Sequence, residues 1–324
     1  MKRRNFLQLT GATFAASAAS TYASLAGAVP PKPNAADSKP TDAAAFAAAR
    51  RFADLSFGKI AYVERGTGDA ALFLHGAPLN GFQWRGAIDR LSPYRRCIAP
   101  DFMGLGYSQP LEHQSLQSNA QVEMLAALLD LLGVAKVDII ASDSGGAVAQ
   151  LFSVRHSDRV RTMLLTNCDV EPTSPPVAIK PVLDMARDGT LADDTAKWLT
   201  DRALARSTFG AGVYRNAATF SDAVIDYYVK PLVSSPLRRK QYEAFHVALA
   251  PNPLAGIEPT LKRSKIPVRM VWGAKDTIFP ITDAEYLDRT FPMSQGIRRV
   301  PEGKLFFQEE FPEIIAEEAR RLWG

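Results

Sequence analysis

The apolar positions of this chain follow two periods. Short runs dense in Val, Ile, Leu and aromatic residues read as strands at "RFADLSF" (51–57), "KIAYVE" (59–64), "ALFLHG" (71–76), "RRCIAP" (95–100), "VDIIAS" (137–142), "TMLLTN" (162–167), "VRMVWG" (268–273) and "GIRRV" (296–300). Helical spacing appears between the later runs. "SLQSNAQVEMLAALLDLLG" (115–133) has serines to cap its start and Gly133 to end it, and "GGAVAQLFSVRH" (145–156) stands directly behind a strand. Strand alternating with helix predicts an α/β protein with a mainly parallel, eight-stranded sheet and helices on both faces.

Residues 171–264 break that rhythm. They are mostly helical in pattern, punctuated by proline, and rich in aromatics such as Trp198, Tyr214, Tyr227, Tyr228, Tyr242 and Phe245. The stretch reads as an inserted helical cap whose aromatics pack rather than bind. The core is then 51–170 with 265–324, preceded by a Pro- and Ala-rich linker over 29–50 that has room for one helical turn.

Composition changes this picture only at the start. The first residues, "MKRRNFLQLTGATFAASAAS", combine a basic end with a weakly apolar, alanine-rich run, which is an export-signal pattern. Arg3-Arg4 followed by Asn5, Phe6 and Leu7 resembles the twin-arginine signal, so the expected partner is the machinery that exports folded proteins to the periplasm or beyond. Ala26-Gly27-Ala28 offers a cleavage site. Residues 1–28 hold three positive charges and no negative one, so their removal takes the net charge from +4 to +1. No basic patch then argues for nucleic acid, and no second apolar stretch is long enough to span a membrane. Cys97 and Cys168 lie in strand-like runs and read as buried free thiols. The four histidines, His75, His113, His156 and His246, lack ligand spacing, so neither metal nor cofactor is expected.

The candidate chemistry sits in "IIASDSGGAVAQ", which runs from a strand through a turn of small residues into a helix. Small-x-nucleophile-x-small lets such a turn close, with the helix N-terminus facing the reacting group. Ala141-Ser142-Asp143-Ser144-Gly145 puts Asp143 at the apex; one residue later the same spacing puts Ser144 there as an alternative nucleophile.

At these residues the chain resembles the α/β-hydrolase superfamily, in the branch of haloalkane dehalogenases and epoxide hydrolases that use an aspartate nucleophile. "LFLHGAP" looks like the family's His-Gly loop, "DFMGLGYS" like its Asp-x-x-Gly-x-Gly-x-Ser loop, and "VWGAKDTIFP" puts Asp276 where the family carries its catalytic acid. The resemblance implies the α/β-hydrolase fold with a cap. It also implies backbone oxyanion donors at Ala77 and Ser144, with His75 and Asp101 holding loops in place. Dehalogenases carry halide-stabilising side chains where this chain has Ser144 and Ala77, and some relatives place their acid at the position of Asn167.

The family's histidine follows the final strand, and there this chain reads Gly303-Lys304-Leu305. No histidine occurs after His246. A serine nucleophile without a base stops at its first step, whereas an ionised aspartate attacks carbon unaided and needs activated water only to release the ester. Projecting inward, Lys304 lies between Asp143 and Asp276, which hold it charged and suit it to act as an acid or cation. Pointing outward, it leaves a relic site or a binding pocket. His246, in the cap, is a second candidate base that also reads as a structural or exposed helical histidine. The implied function is a cofactor-free hydrolase acting on a small, largely apolar ester, epoxide or similar molecule. The alternatives are a lyase or isomerase using an Asp-Lys pair, and a silent ligand-binding protein.

Overall fold

The computed structural model describes residues 41–324, so the export sequence and residues 29–40 of the expected linker lie outside the described residues. Among the described residues nine strands form one sheet: β1 (Arg50–Leu55), β2 (Gly58–Arg65), β3 (Ala70–Leu74), β4 (Arg96–Pro100), β5 (Gln109–Pro110), β6 (Val137–Asp143), β7 (Val160–Cys168), β8 (Val268–Gly273) and β9 (Ser294–Val300). The order is β1-β2-β4-β3-β6-β7-β8-β9, with β5 on β2. All eight expected strands are present; β5 spans only Gln109–Pro110, too short to leave a pattern. Along the run β4-β3-β6-β7-β8-β9 the strands pair in parallel, while β1–β2, β2–β4 and β2–β5 are antiparallel. β3, β6 and β8 are buried along their whole length, because helices cover both faces of a parallel sheet, and this is why they read as unbroken apolar runs.

The helix Ser118–Leu131 confirms one expected boundary and moves the other. Gly133, at φ +65°, ends it, and Val134 N–H bonds the Leu129 carbonyl at 2.8 Å to close the last turn. No serine caps its start. Gln117 holds that place without a side-chain capping bond, and Ser118 is already helical.

The expected linker also ends earlier than its composition suggests. A helix, Ala43–Ala48, is capped by Asp42, and Thr41 is tied to Asp89 through its amide at 2.8 Å and its hydroxyl at 2.6 Å. Phe46, the one large apolar residue in this alanine run, is buried with its ring edge against Phe82 at 5.3 Å. Burial of that ring draws the segment onto the folded body.

The cap lies between β7 and β8, built mainly on helices Lys180–Asp188, Leu191–Lys197, Asp222–Val233 and Pro236–Val247. Its anchor is Glu309, whose fully buried carboxylate pairs with Arg85 of the core and accepts the hydroxyls of two cap residues, Tyr214 at 2.7 Å and Tyr228 at 3.1 Å. Next to it, Glu310 accepts the amides of Arg215 and Asn216 at 2.8 and 2.9 Å. Cys97 and Cys168 are buried free thiols. Among the described residues no helix is long and apolar enough to cross a membrane.

Candidate active site

β3 and β6 are neighbours from which the chain winds outward in both directions, to β4 on one side and to β7 on the other. Such a switch point opens a crevice at the carboxyl ends of the strands. Ala77 follows β3, Asp143 ends β6, Asn167 lies near the end of β7, Asp276 follows β8 and Lys304 follows β9, so the sheet gathers these five at the carboxyl ends of its strands.

Asp143 adopts φ +56°, and it is the one non-glycine residue with positive φ among the described residues. That conformation costs on the order of 1–3 kcal/mol and is held by its surroundings. The space beside it requires glycine. A Cβ on Gly76 would lie 2.5 Å from the Asp143 Cβ, one on Gly145 would lie 2.6 Å from the His75 carbonyl oxygen, and one on Gly146 would lie 2.3 Å from the Cys168 Cβ. The paired glycines thus let the helix Ser144–Arg155 start directly against β3 and β7.

The amides of Ala77 and Ser144, the expected oxyanion donors, both meet the aspartate itself. Ala77 N–H donates to Oδ1 of Asp143 at 3.0 Å, and Ser144 N–H donates to the same oxygen at 2.6 Å. Among the described residues nothing is hydrogen-bonded to Oδ2. Burial raises the carboxyl above its ordinary value, opposed by the amides of Ser144 and Ala77. Asp143 lines a cavity of about 550 Å³ between core and cap, together with Ala77, Pro78, Ile278 and Leu305 from the core.

Ser144, the alternative nucleophile, is placed differently. Its hydroxyl is buried without a hydrogen bond and the residue does not line the cavity, because it is the first residue of the helix rather than the apex of the turn.

Asp276 is near Asp143 but engaged elsewhere. Its oxygens accept the Ile278 amide at 2.9 Å, the Phe279 amide at 3.3 Å and the Asn167 side-chain amide at 2.8 Å. Burial pushes its carboxyl up to about 6, the Asn167 and amide bonds hold it down, and the Asp143 charge adds to the rise. Asn167 is clamped in turn, receiving the Gly273 amide at 2.7 Å and donating to the Gly273 carbonyl at 3.1 Å.

The inward placement of Lys304 between the two carboxylates is not what the structure contains. Its Nζ donates to the Ala211 carbonyl of the cap at 2.6 Å, and among the described residues it forms no ion pair with Asp143 or Asp276. Phe306 N–H bonds the Val213 carbonyl at 3.0 Å, so the loop after β9 is stitched to cap residues 211–213 at two points. The next residue, Leu305, turns into the cavity instead. A flexible four-carbon stem lets the ammonium reach an unused helix-end carbonyl, where a cation is favoured.

The loop-holding residues behave as expected. His75 accepts the Phe102 amide at Nε2 and donates Nδ1–H to the Gly76 carbonyl, both at 2.9 Å, and Asp101 accepts the amides of Gly81 and Tyr107. His246 does not follow the exposed-helix reading, since it is buried and lines the cavity. Among the described residues no group of side chains has the makings of a metal site.

Two neighbours escaped the sequence. Gln308 donates to the Ser142 hydroxyl at 3.0 Å, directly below the turn, and no motif marks it. Asp169, just past β7, is buried; burial pushes its carboxyl up to about 7, against the Ser174 hydroxyl that it accepts at 2.7 Å. A raised carboxyl favours the fold at low pH and loses that advantage as pH rises through its folded value. Asp169→Asn is therefore expected to stabilise the protein by roughly 2 kcal/mol at pH 8, and by clearly less at pH 5. Thermal melts at the two pH values check the sign.

These features define a class: a cap-covered α/β core with a sharp strand-to-helix turn at Asp143 and an amide pair aimed at its carboxylate. Residues 70–311 match the family described as alpha/beta hydrolase fold, and the chain belongs to it. That membership makes it a hydrolase by family. Haloalkane dehalogenase 2 of Mycobacterium tuberculosis is 30% identical over 274 residues, covering 82% of this chain and 92% of that protein. The cis-3-alkyl-4-alkyloxetan-2-one decarboxylase of Shewanella oneidensis is 24% identical over 246 residues, covering 71% and 74%. Among solved structures, the haloalkane dehalogenase of Bradyrhizobium elkani superposes with a TM-score of 0.68 at 24% identity, covering 85% of this chain and 97% of that one.

Proposed function

We propose that this protein is a cofactor-free hydrolase in which Asp143 attacks the electrophilic carbon of a small, largely apolar substrate, an ester, epoxide or similar molecule. The observation that carries the reading is the asymmetry of the Asp143 carboxylate: two amides hold Oδ1, and Oδ2 has no partner on the floor of an apolar cavity. In the first step Oδ2 forms a bond to carbon while the bond from that carbon to its leaving atom breaks, and the leaving atom takes the electron pair. The product is an ester of Asp143 when that carbon is saturated, as in an epoxide, and a mixed anhydride when it is the acyl carbon of an ester; a leaving oxygen takes its proton from water. Water then adds to the Asp143 carbonyl, and the charge that collects on Oδ1 falls where Ala77 and Ser144 already donate; the adduct collapses by breaking the bond from Cγ to the product's oxygen, which leaves with the proton water gives up.

Lys304 sets the balance between the two steps. With its ammonium on the Ala211 carbonyl, no imidazole stands at this position to activate water, and Asp276 has Asn167 as its partner instead. Its proposed part as a cationic or acidic group would require release from Ala211. Ester formation is then faster than ester release. The test is intact mass of wild type beside Lys304→His after exposure to epoxides, haloalkanes and activated esters. Wild type is expected to gain one adduct that maps to Asp143, and Lys304→His to turn that adduct over. If neither protein is labelled or active against any of them, the nucleophilic reading fails.

The missing base also favours a second reading. A lyase-type reaction that ends by expelling the carboxylate of Asp143 needs no activated water, and the resemblance to a relative named as a decarboxylase supports it. Turnover in labelled water with no oxygen incorporated, and no lasting adduct, would select it.

A further inference from the structure

The surface of the cavity is mainly apolar, and most of its polar hydrogens are already committed. Thr195 Oγ1 donates to the Leu191 carbonyl at 2.8 Å, so the 3.1 Å contact with Tyr242 takes its proton from the Tyr242 hydroxyl. Thr208 Oγ1 donates to the Leu204 carbonyl at 2.7 Å. Lys197 and Asp194 pair with each other, half in solvent. The hydroxyl oxygens of Tyr242 and Thr208 keep lone pairs, but the lining groups that make no hydrogen bond at all are Oδ2 of Asp143, the indole N–H of Trp198, and one ring nitrogen of His246.

His246 is fixed in a single state. Its Nδ1 lies 3.0 Å from the Tyr242 carbonyl, which only accepts, so Nδ1 carries the proton and Nε2 keeps its lone pair. The ring is held edge-on to Tyr242 at 4.8 Å and beside Phe245 at 5.7 Å. Burial lowers its pKa to about 4, against the pull of the Tyr242 carbonyl, so the ring is neutral at physiological pH. Among the described residues Nε2 has no hydrogen-bond partner, although only 4% of the residue is exposed. A polar atom left open in an otherwise apolar wall is satisfied by what enters.

We propose that His246 Nε2 is the substrate's polar anchor, accepting a hydrogen bond from a hydroxyl group on an otherwise apolar molecule held between the cap and Asp143. The placement of the reacting carbon at Asp143 rests on the function proposed above; the hydroxyl contact at His246 does not. The substrate class is thereby narrowed to hydroxylated apolar compounds, such as phenols and alcohols that carry their electrophilic carbon away from the hydroxyl. A neutral hydrogen bond contributes about 0.5–1.5 kcal/mol, so the preference it imposes is roughly two- to tenfold.

The test compares two probes that lack an electrophilic carbon, 4-pentylphenol and its methyl ether 4-pentylanisole, by titration calorimetry. Wild type and Asp143→Asn are expected to bind the phenol about fivefold tighter than the ether. His246→Phe, with His246→Leu beside it as a second replacement of different shape, is expected to lose that preference while binding the ether within about twofold of wild type. Equal binding of the two probes by wild type overturns the proposal. So does a preference that survives in either His246 variant, or one that disappears in Asp143→Asn, which would assign the hydroxyl to the carboxylate. Since neither probe can alkylate Asp143, failure of the covalent reading shows only in the mass experiment and leaves this comparison intact.

Discussion

Asp143→Asn is expected to abolish labelling by every electrophile and to lower turnover by a factor of about a thousand or more, while making the protein more stable. The asparagine keeps the shape of the side chain, and its carbonyl oxygen can still accept from Ala77 and Ser144, as Oδ1 does at 3.0 and 2.6 Å. Its amide nitrogen then faces the cavity and cannot attack carbon. The stability gain has a separate cause, because burial raises the Asp143 carboxyl, so its charged form is the costly one in this apolar wall. A raised carboxyl contributes least to stability above its folded pKa, so the gain in Tm is expected to be larger at pH 8 than at pH 5. Paired melts and intact-mass assays check both halves. A variant that loses stability and activity together would make Asp143 a structural residue. Opposite signs are what a group held in place for chemistry should give.

The largest loss of stability is expected at the base of the cap. Arg85→Leu leaves the Glu309 carboxylate buried with only the hydroxyls of Tyr214 and Tyr228 to hold it, at 2.7 and 3.1 Å. Breaking a buried ion pair by removing one partner costs about 3–5 kcal/mol, because the surviving charge has neither water nor counter-ion. The double variant Arg85→Leu with Glu309→Leu should recover a large part of that loss, since it removes both charges at once. Denaturant midpoints for the single and double variants make the comparison. If the double variant is as unstable as the single, packing of the two long side chains, rather than their charge, anchors the cap. The cavity floor depends on the same segment, since Leu305 lies four residues before Glu309, so the single variant is also expected to weaken binding of apolar ligands.

Much of the architecture was legible because it follows from local chemistry. A strand covered on both faces has no reason to alternate, and β3, β6 and β8 stand out as unbroken apolar runs for that reason. The turn at Asp143 was legible because its glycines answer to hard sterics: Gly145 and Gly146 have no room for a Cβ. The start of the helix at Ser118 was misread because serine is a common cap but not a necessary one. The early end of the linker was missed because one ring, Phe46, outweighs an alanine-rich composition.

The side chains around the nucleophile were harder to read, and Lys304 shows why. Its place after β9 is set by sequence register, but the direction of a long, flexible side chain depends on which acceptor comes within reach, and Ala211 lies far away in the chain. Asn167 meets Asp276 across 109 residues of sequence, and Gln308 meets Ser142 across 166. Spacing along a chain carries no trace of such encounters. The sequence by itself determined the order of strands and helices, the inserted cap and the aspartate at the apex of the turn, because periodicity and steric exclusion act over a few residues. Only the tertiary structure decided that Lys304 clamps the cap and that the lone pair of His246 is left open in an apolar cavity. Those outcomes depend on which polar groups are buried together and which partners remain for them once the chain has folded.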